Sequence, residues 1–266
     1  MNWQKKKNRG DYLIYIESKE NNLYKETKKL KERKGRNKSS KYIIEGFRLI
    51  QEAFKANLEV EYIFINNEEE KRIDEYLKEY KNDTKIYGLN DNLLRELCST
   101  EKPQGIVAVV KMKKIDMALE GKFYLLCDKV QDPGNLGTII RSAVAFSMPN
   151  IIISDNSVDL YNPKVIRSTE GMLFHVNAIR KNLSEYLPTL KKDYQIIGTD
   201  VRMGVNIRNL SLNSNYGIVI GSEGSGMGVS KDFCDTFIKI PMSDKCESLN
   251  AGVSASIIMY ECDNHE

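Results

Sequence analysis

Tyr216-Gly217-Ile218-Val219-Ile220-Gly221-Ser222-Glu223-Gly224-Ser225-Gly226-Met227-Gly228 is an apolar strand running into a loop with four glycines in eight residues. Glycines at that density let backbone approach a ligand closely and expose N–H groups to it. The first reading to test is a dinucleotide-binding loop. Such a loop opens a βαβ unit with an acidic residue about 20 positions on, whereas here the next strand ends at Lys239, Ile240 and Pro241. Only 38 residues follow Gly228 in a chain of 266, too few to build most of a Rossmann sheet. A nicotinamide-dependent enzyme is therefore excluded.

Upstream of this loop, a buried-type strand at Phe123 to Cys127 leads into Asp132-Pro133-Gly134-Asn135-Leu136-Gly137 and a helix from Asn135 to Phe146. Strands at Asn150 to Ile153, Val176 to Ile179 and Gln195 to Thr199 follow, with a helix at Asn162 to Thr169 between the first two. Downstream, a strand at Phe237 to Ile240 precedes Pro241-Met242, and Glu247-Ser248-Leu249-Asn250-Ala251 opens a last helix, amphipathic through Leu249, Val253, Ile257 and Tyr260. Alternation of this kind predicts a mostly parallel sheet covered on both faces. Ligands in open α/β sheets sit at the carboxyl ends of strands, and all three loops lie there. Singly each has an ordinary alternative: Asn135 and Ser248 as helix N-caps, Arg141 as a surface charge, the glycines as a turn.

The front of the chain forms a second, smaller α/β unit. A basic helix from Glu20 to Lys34 ends at Gly35, a residue suited to a C-terminal cap. Strands at Tyr42 to Ile44, Val60 to Ile65, Lys85 to Tyr87 and Gly105 to Val110 alternate with helices at Gly46 to Asn57, Lys71 to Tyr80 and Asn90 to Cys98. The polar stretch Lys111 to Lys122 reads as a linker, placing the domains at residues 14–112 and 121–264. Two domains also follow from the length, at about 150 residues each. The first residues, Met1 to Arg9, read as a disordered tail or an RNA-gripping arm, with composition favouring the tail slightly.

Charge separates the two units. Up to Lys114 there are 26 basic and 19 acidic residues, against 14 and 18 afterwards, so the portions carry +7 and −4. The excess is densest at Lys28, Lys31, Arg33, Lys34, Arg36 and Lys38, the footprint expected of a nucleic-acid-binding face, with a solvated helix face as the plain alternative. A composition of 41% hydrophobic and 29% charged residues excludes a disordered chain. Apolar runs are too short to span a membrane, and the lysine-rich start lacks a secretory pattern, so the expected location is the cytoplasm. Five cysteines without a Cys-x-x-Cys pair, and two histidines, indicate neither a disulfide framework nor a metal site.

Taken in order, Asn135-Leu136-Gly137-x-x-x-Arg141, Gly221-Ser222-Glu223-Gly224-x-Gly226-Met227, and Ile240-Pro241-Met242 with Ser248-Leu249-Asn250 resemble the three motifs of the SpoU (TrmH) family of RNA ribose 2′-O-methyltransferases. The resemblance spans Phe123 to Tyr260, including Asn162-Pro163-Lys164-Val165-Ile166-Arg167 and Gly171, and the front unit more loosely resembles an RNA-binding domain related to ribosomal proteins. It implies a SPOUT fold with a C-terminal trefoil knot, a homodimer, and S-adenosylmethionine held by Thr199, Gly221, Ile240, Met242 and Leu249. It further implies catalysis by Arg141, with Asn135, Glu223, Ser248 and Asn250 orienting it and the ribose. One departure stands out: Gly252 occupies a position where the family often has serine.

Ribose methylation requires the 2′-hydroxyl to lose its proton while attacking in line. A guanidinium almost never releases a proton, which favours Arg141 as a donor to the developing alkoxide or the adjacent phosphate over Arg141 as a base. The expected function is S-adenosylmethionine-dependent methylation of ribosomal RNA. A catalytically silent RNA-binding relative is the alternative.

Overall fold

The computed structural model describes residues 3–8, 11–78, 84–115, 121–222, 224 and 226–263. It divides into two compact units, Met1–Lys114 and Ile115–Glu266.

In the first unit, strands β1 (Trp3–Asn8), β2 (Asp11–Ile16), β3 (Lys41–Glu45), β4 (Val60–Asn66), β5 (Lys85–Leu89) and β6 (Ile106–Lys111) form one mixed sheet in the order β1-β2-β5-β4-β6-β3. The expected tail is thus in part a strand, since β1 pairs antiparallel with β2 along its length. Helices α1 (Asn22–Lys29), α2 (Arg33–Ser39), α3 (Phe47–Lys55), α4 (Arg72–Leu77) and α5 (Asp91–Leu97) accompany it. Tyr24 of α1 and Leu93, Leu94 and Leu97 of α5 pack on Ile16, Phe64, Leu89 and Val107 of the sheet.

The single helix expected over Glu20 to Lys34 is two helices, and Gly35 lies inside the second. The reason is a close approach: a Cβ on Gly35 would fall 2.0 Å from the Lys29 carbonyl oxygen. Arg36 then turns back, donating through Nη1 to the carbonyls of Leu30 at 2.9 Å and Lys31 at 2.8 Å, which satisfies the end of α1.

In the second unit, β7 (Phe123–Cys127), β8 (Asn150–Ser154), β9 (Asn177–Lys181), β10 (Gln195–Thr199), β11 (Val205–Asn206), β12 (Tyr216–Ile220) and β13 (Thr236–Lys239) form a sheet in the order β11-β13-β10-β12-β7-β8-β9. All its pairings are parallel, as the alternation predicts. Helices α6 (Pro133–Ala145), α7 (Pro163–Ser168), α8 (Leu183–Leu190) and α9 (Ala251–Asp263) cover it. Helix α8 has no counterpart among the expected elements because Pro188 interrupts its pattern, yet Leu183, Leu187 and Leu190 complete a core with Tyr124, Leu126, Ile152, Ile196 and Val219.

Helix α9 presents a different face from the one its apolar spacing predicts. Ala251, Ala255, Ile258, Met259 and Cys262 are buried, while Val253 and Tyr260 stay 44% and 54% exposed. Small residues let α9 lie close to α6. A Cβ on Gly252 would come within 2.9 Å of Thr138 Cβ, and the hydroxyls of Ser142 and Ser256 meet at 2.6 Å.

Candidate active site

Parallel pairing brings three strand ends together at one sheet edge. Thr199 pairs with Ile238 and Gly198 with Val219, so the exits of β10, β12 and β13 are neighbours. Thr199 Oγ1 donates to the Val219 carbonyl at 3.0 Å. From this edge the loops beginning at Gly221 and Ile240 depart.

The glycine loop folds back on itself. Ser222 and Gly226 exchange two backbone hydrogen bonds of 3.0 Å, and Gly226 takes a φ of 66°, in the left-handed region. A Cβ on Gly221 would lie 2.5 Å from the backbone of Gly226 and Met227, so no other residue fits there. On Gly224 and Gly226 a Cβ would meet nothing within 4 Å, which leaves that side of the loop open. Glu223 lies outside the described residues.

Asp128 anchors the far end of this loop. It is buried at the end of β7, accepting from the Gly228 N–H at 2.7 Å and from the Ser230 hydroxyl. Sequence reasoning passed over it, although its place at the carboxyl end of a strand is the signal that could have found it.

The capping assignments expected from sequence are corrected at both helices. Helix α6 is capped by Asp132, whose Oδ1 accepts from the Asn135 N–H at 2.8 Å. Helix α9 is capped by Asn250, whose Oδ1 accepts from Gly252 N at 3.0 Å and Val253 N at 3.2 Å. Ser248 is therefore outside the helix and exposed, with its carbonyl accepting from Cys246 Sγ at 3.2 Å. Relieved of capping, the largely buried side chain of Asn135 accepts through Oδ1 from Asn250 Nδ2 at 2.7 Å. One amide pair thus joins the starts of the first- and third-motif helices.

Arg141 lies two turns further along α6, half-exposed, and its Nη1 meets Glu170 Oε1 at 3.3 Å. Glu170 is a second residue that sequence reasoning missed. Only its place in the stretch before Gly171 hinted at it.

The residues at the sheet edge suit an adenosyl group with an attached amino acid. Ile240, Met242 and Leu249 are half-buried apolar side chains, and the close packing at Gly221 fixes the backbone where the glycine loop begins. Among the described residues, no cluster of His, Cys, Asp and Glu could hold a metal, and no helix is long and apolar enough to cross a membrane.

In the first unit the six basic candidates separate. Arg33, Lys34 and Lys38 are exposed on α2. Lys28 pairs with Glu96 at 2.7 Å, and Lys31 donates to the Glu96 and Cys98 carbonyls at 2.6 and 3.0 Å. Arg36 is 5% exposed and drops out of any RNA-contacting face, because its guanidinium closes the end of α1.

Comparison with known proteins supplies an independent view. The model of the SpoU rRNA methylase family matches residues 122–260, and that of the MRM3-like substrate binding domain matches residues 21–108. The chain is 34% identical to the 23S rRNA (guanosine(2553)-2′-O)-methyltransferase RlmP of Bacillus subtilis, over 92% of this chain and 97% of the relative. Among solved structures, the SpoU methyltransferase AviRb from Streptomyces viridochromogenes in complex with AdoMet superposes with a TM-score of 0.81 at 26% identity, covering 92% of this chain and 98% of that one. An RNA 2′-O ribose methyltransferase superposes with a TM-score of 0.73 at 28% identity, covering 93% and 97%.

Proposed function

The chain belongs to the SpoU rRNA methylase family, and on that premise we propose that it transfers a methyl group from S-adenosylmethionine to a ribose 2′-hydroxyl of large-subunit ribosomal RNA. The observation that carries this reading is the Asn250 to Asn135 hydrogen bond of 2.7 Å, which joins the third motif to the helix bearing Arg141. A silent RNA-binding relative has no need of that linkage.

Bound S-adenosylmethionine supplies the sulfonium methyl. Gly221, Ile240 and Leu249 hold the cofactor chiefly through backbone, with Thr199 and Met242 beside it, and the rigid turn at Gly221 makes that backbone a fixed template. Arg141 donates to the ribose alkoxide as charge develops or to the neighbouring phosphate, and its fork of five N–H donors suits either. Asn135 and Asn250 orient the reacting ribose, together with Ser248 and Glu223. The 2′-proton leaves to solvent or to a phosphate oxygen of the RNA, since a guanidinium does not accept it.

The first unit grips the RNA through Lys28, Lys31, Arg33, Lys34 and Lys38, over domains bounded at residues 14–112 and 121–264. Its affinity falls steeply with salt, as phosphate contacts require. The chain leading into α9 is threaded as a trefoil knot, a reading that rests on membership of the family. A homodimer forms through α9, where Val253 and Tyr260 leave apolar surface exposed. The enzyme works in the cytoplasm, where its substrate is assembled.

Incubation with methyl-labelled S-adenosylmethionine and total RNA from cells lacking the gene tests the proposal. Label at one ribose of the large-subunit RNA with wild type, and none with Arg141→Ala, is the expected outcome. Absence of both label and cofactor binding would overturn it.

A further inference from the structure

We infer that Glu170 is a positioning residue for Arg141, an inference that rests on the proposed role of Arg141. The contact is a single 3.3 Å ion pair between side chains 52% and 49% exposed. Exposed pairs of this kind add little to stability, so stability does not account for it.

The carboxylate is carried on a frame built to hold it against α6. Ser168 Oγ donates to the Pro133 carbonyl at 3.0 Å, tying the end of α7 to the start of α6. Gly137 permits this contact, because a Cβ there would fall 2.0 Å from Ser168 Oγ. Thr169, wholly buried, donates through Oγ1 to the Ile166 carbonyl at 2.8 Å. Glu170 itself takes a φ of 50°, a left-handed conformation uncommon for a residue with a side chain. The backbone that carries Glu170 is therefore tied to α6 two residues before it, through Ser168.

Arginine is a long side chain, and a donor must be aimed to stabilise charge that exists only in the transition state. Glu170 takes Nη1 and so draws the guanidinium toward the end of α7, with other N–H donors of the fork directed to the RNA. Its negative charge also disfavours an RNA phosphate settling on Arg141 before the ribose is in place. Losing it therefore lowers kcat and does not weaken RNA binding.

The test is steady-state methylation of total ribosomal RNA from cells lacking the gene, with labelled S-adenosylmethionine, by the full-length chain. Glu170→Ala is expected to lower kcat about tenfold, with KM for RNA unchanged or reduced and the melting temperature unaltered. Glu170→Gln, which keeps an acceptor for Nη1, restores most of kcat. In an Arg141→Lys background, which lacks the planar fork, Glu170→Ala produces no further loss. A kcat within twofold of wild type for Glu170→Ala, a rise confined to KM, or an additive loss in the Arg141→Lys background would each overturn the inference. Arg141→Ala, measured alongside, separates the two levels. If it is inactive while Glu170→Ala is normal, only the positioning role fails; if it is fully active, the role of Arg141 fails and this inference with it.

Discussion

Asn250 does two things with one amide, and the geometry fixes which end does which. Its oxygen accepts from the N–H groups of Gly252 and Val253, so its nitrogen must face Asn135. Replacing it by alanine removes a cap of about 1 kcal/mol and should lower the melting temperature by about 2–4 °C. Asn250→Asp keeps the cap oxygen but cannot donate to Asn135, so it should retain the melting temperature while slowing methyl transfer. Calorimetry paired with the labelling assay distinguishes the two effects, and equal losses of stability in both variants would contradict the assignment. Gly221 makes a sharper case, since a Cβ would sit 2.5 Å from backbone atoms that cannot rotate away. Gly221→Ala should abolish S-adenosylmethionine binding in titration calorimetry with little change in far-UV circular dichroism.

Among elements, the decisive contact is between the end of β7 and the segment after the glycine loop. Asp128 holds Gly228 and Ser230 from a buried position, fixing where that loop returns to the sheet. Hydrogen bonds to a charged group contribute about 1.5–3 kcal/mol, so Asp128→Asn should raise the Kd for S-adenosylmethionine by about tenfold or more while leaving RNA affinity near wild type. An unchanged cofactor Kd would show that the loop keeps its shape without this anchor. Helix α9 shows how packing overrides local pattern. Its apolar stripe through Val253 and Tyr260 is expected inward, yet those two face out, and the buried face joins the small Ala251, Gly252 and Ala255, where α6 comes close, to Ile258 and Met259.

For the whole molecule, that exposed stripe predicts association. Tyr260→Glu should shift the mass measured by light scattering from dimer to monomer; a wild type that is itself monomeric would exclude the α9 interface. In the first unit, Glu96 makes a modest contribution to acid stability, since its lysine partners are exposed. The hydrogen bonds from Lys19 and then Lys28, joined by that of the Tyr24 hydroxyl, hold its carboxyl at about 2, well below the usual 4.5. A carboxyl lowered on folding contributes stability fully above its ordinary range, and that contribution disappears as pH falls from about 4.5 through about 2. The melting temperature of this unit should therefore drop across that interval, and Glu96→Gln should flatten the drop. High salt should shrink the difference, because the pairs are exposed.

Sequence alone determined what depends on order and local pattern: the alternating elements, the parallel sheet, and three motif loops at strand ends. Arg141, Asn135 and Asn250 became candidates through the motif resemblance, which rests on residue type and order, and these are local quantities. Tertiary structure alone decided what depends on distance. It placed Asp132 and Asn250 at the helix starts where Asn135 and Ser248 were expected, since a cap is set by where the chain enters the helix. It withdrew Arg36 from the basic face, because a guanidinium can turn back onto carbonyls of its own segment. It brought Glu170 to Arg141 and Asp128 to Gly228 across separations of 29 and 100 residues, contacts that only chain folding creates.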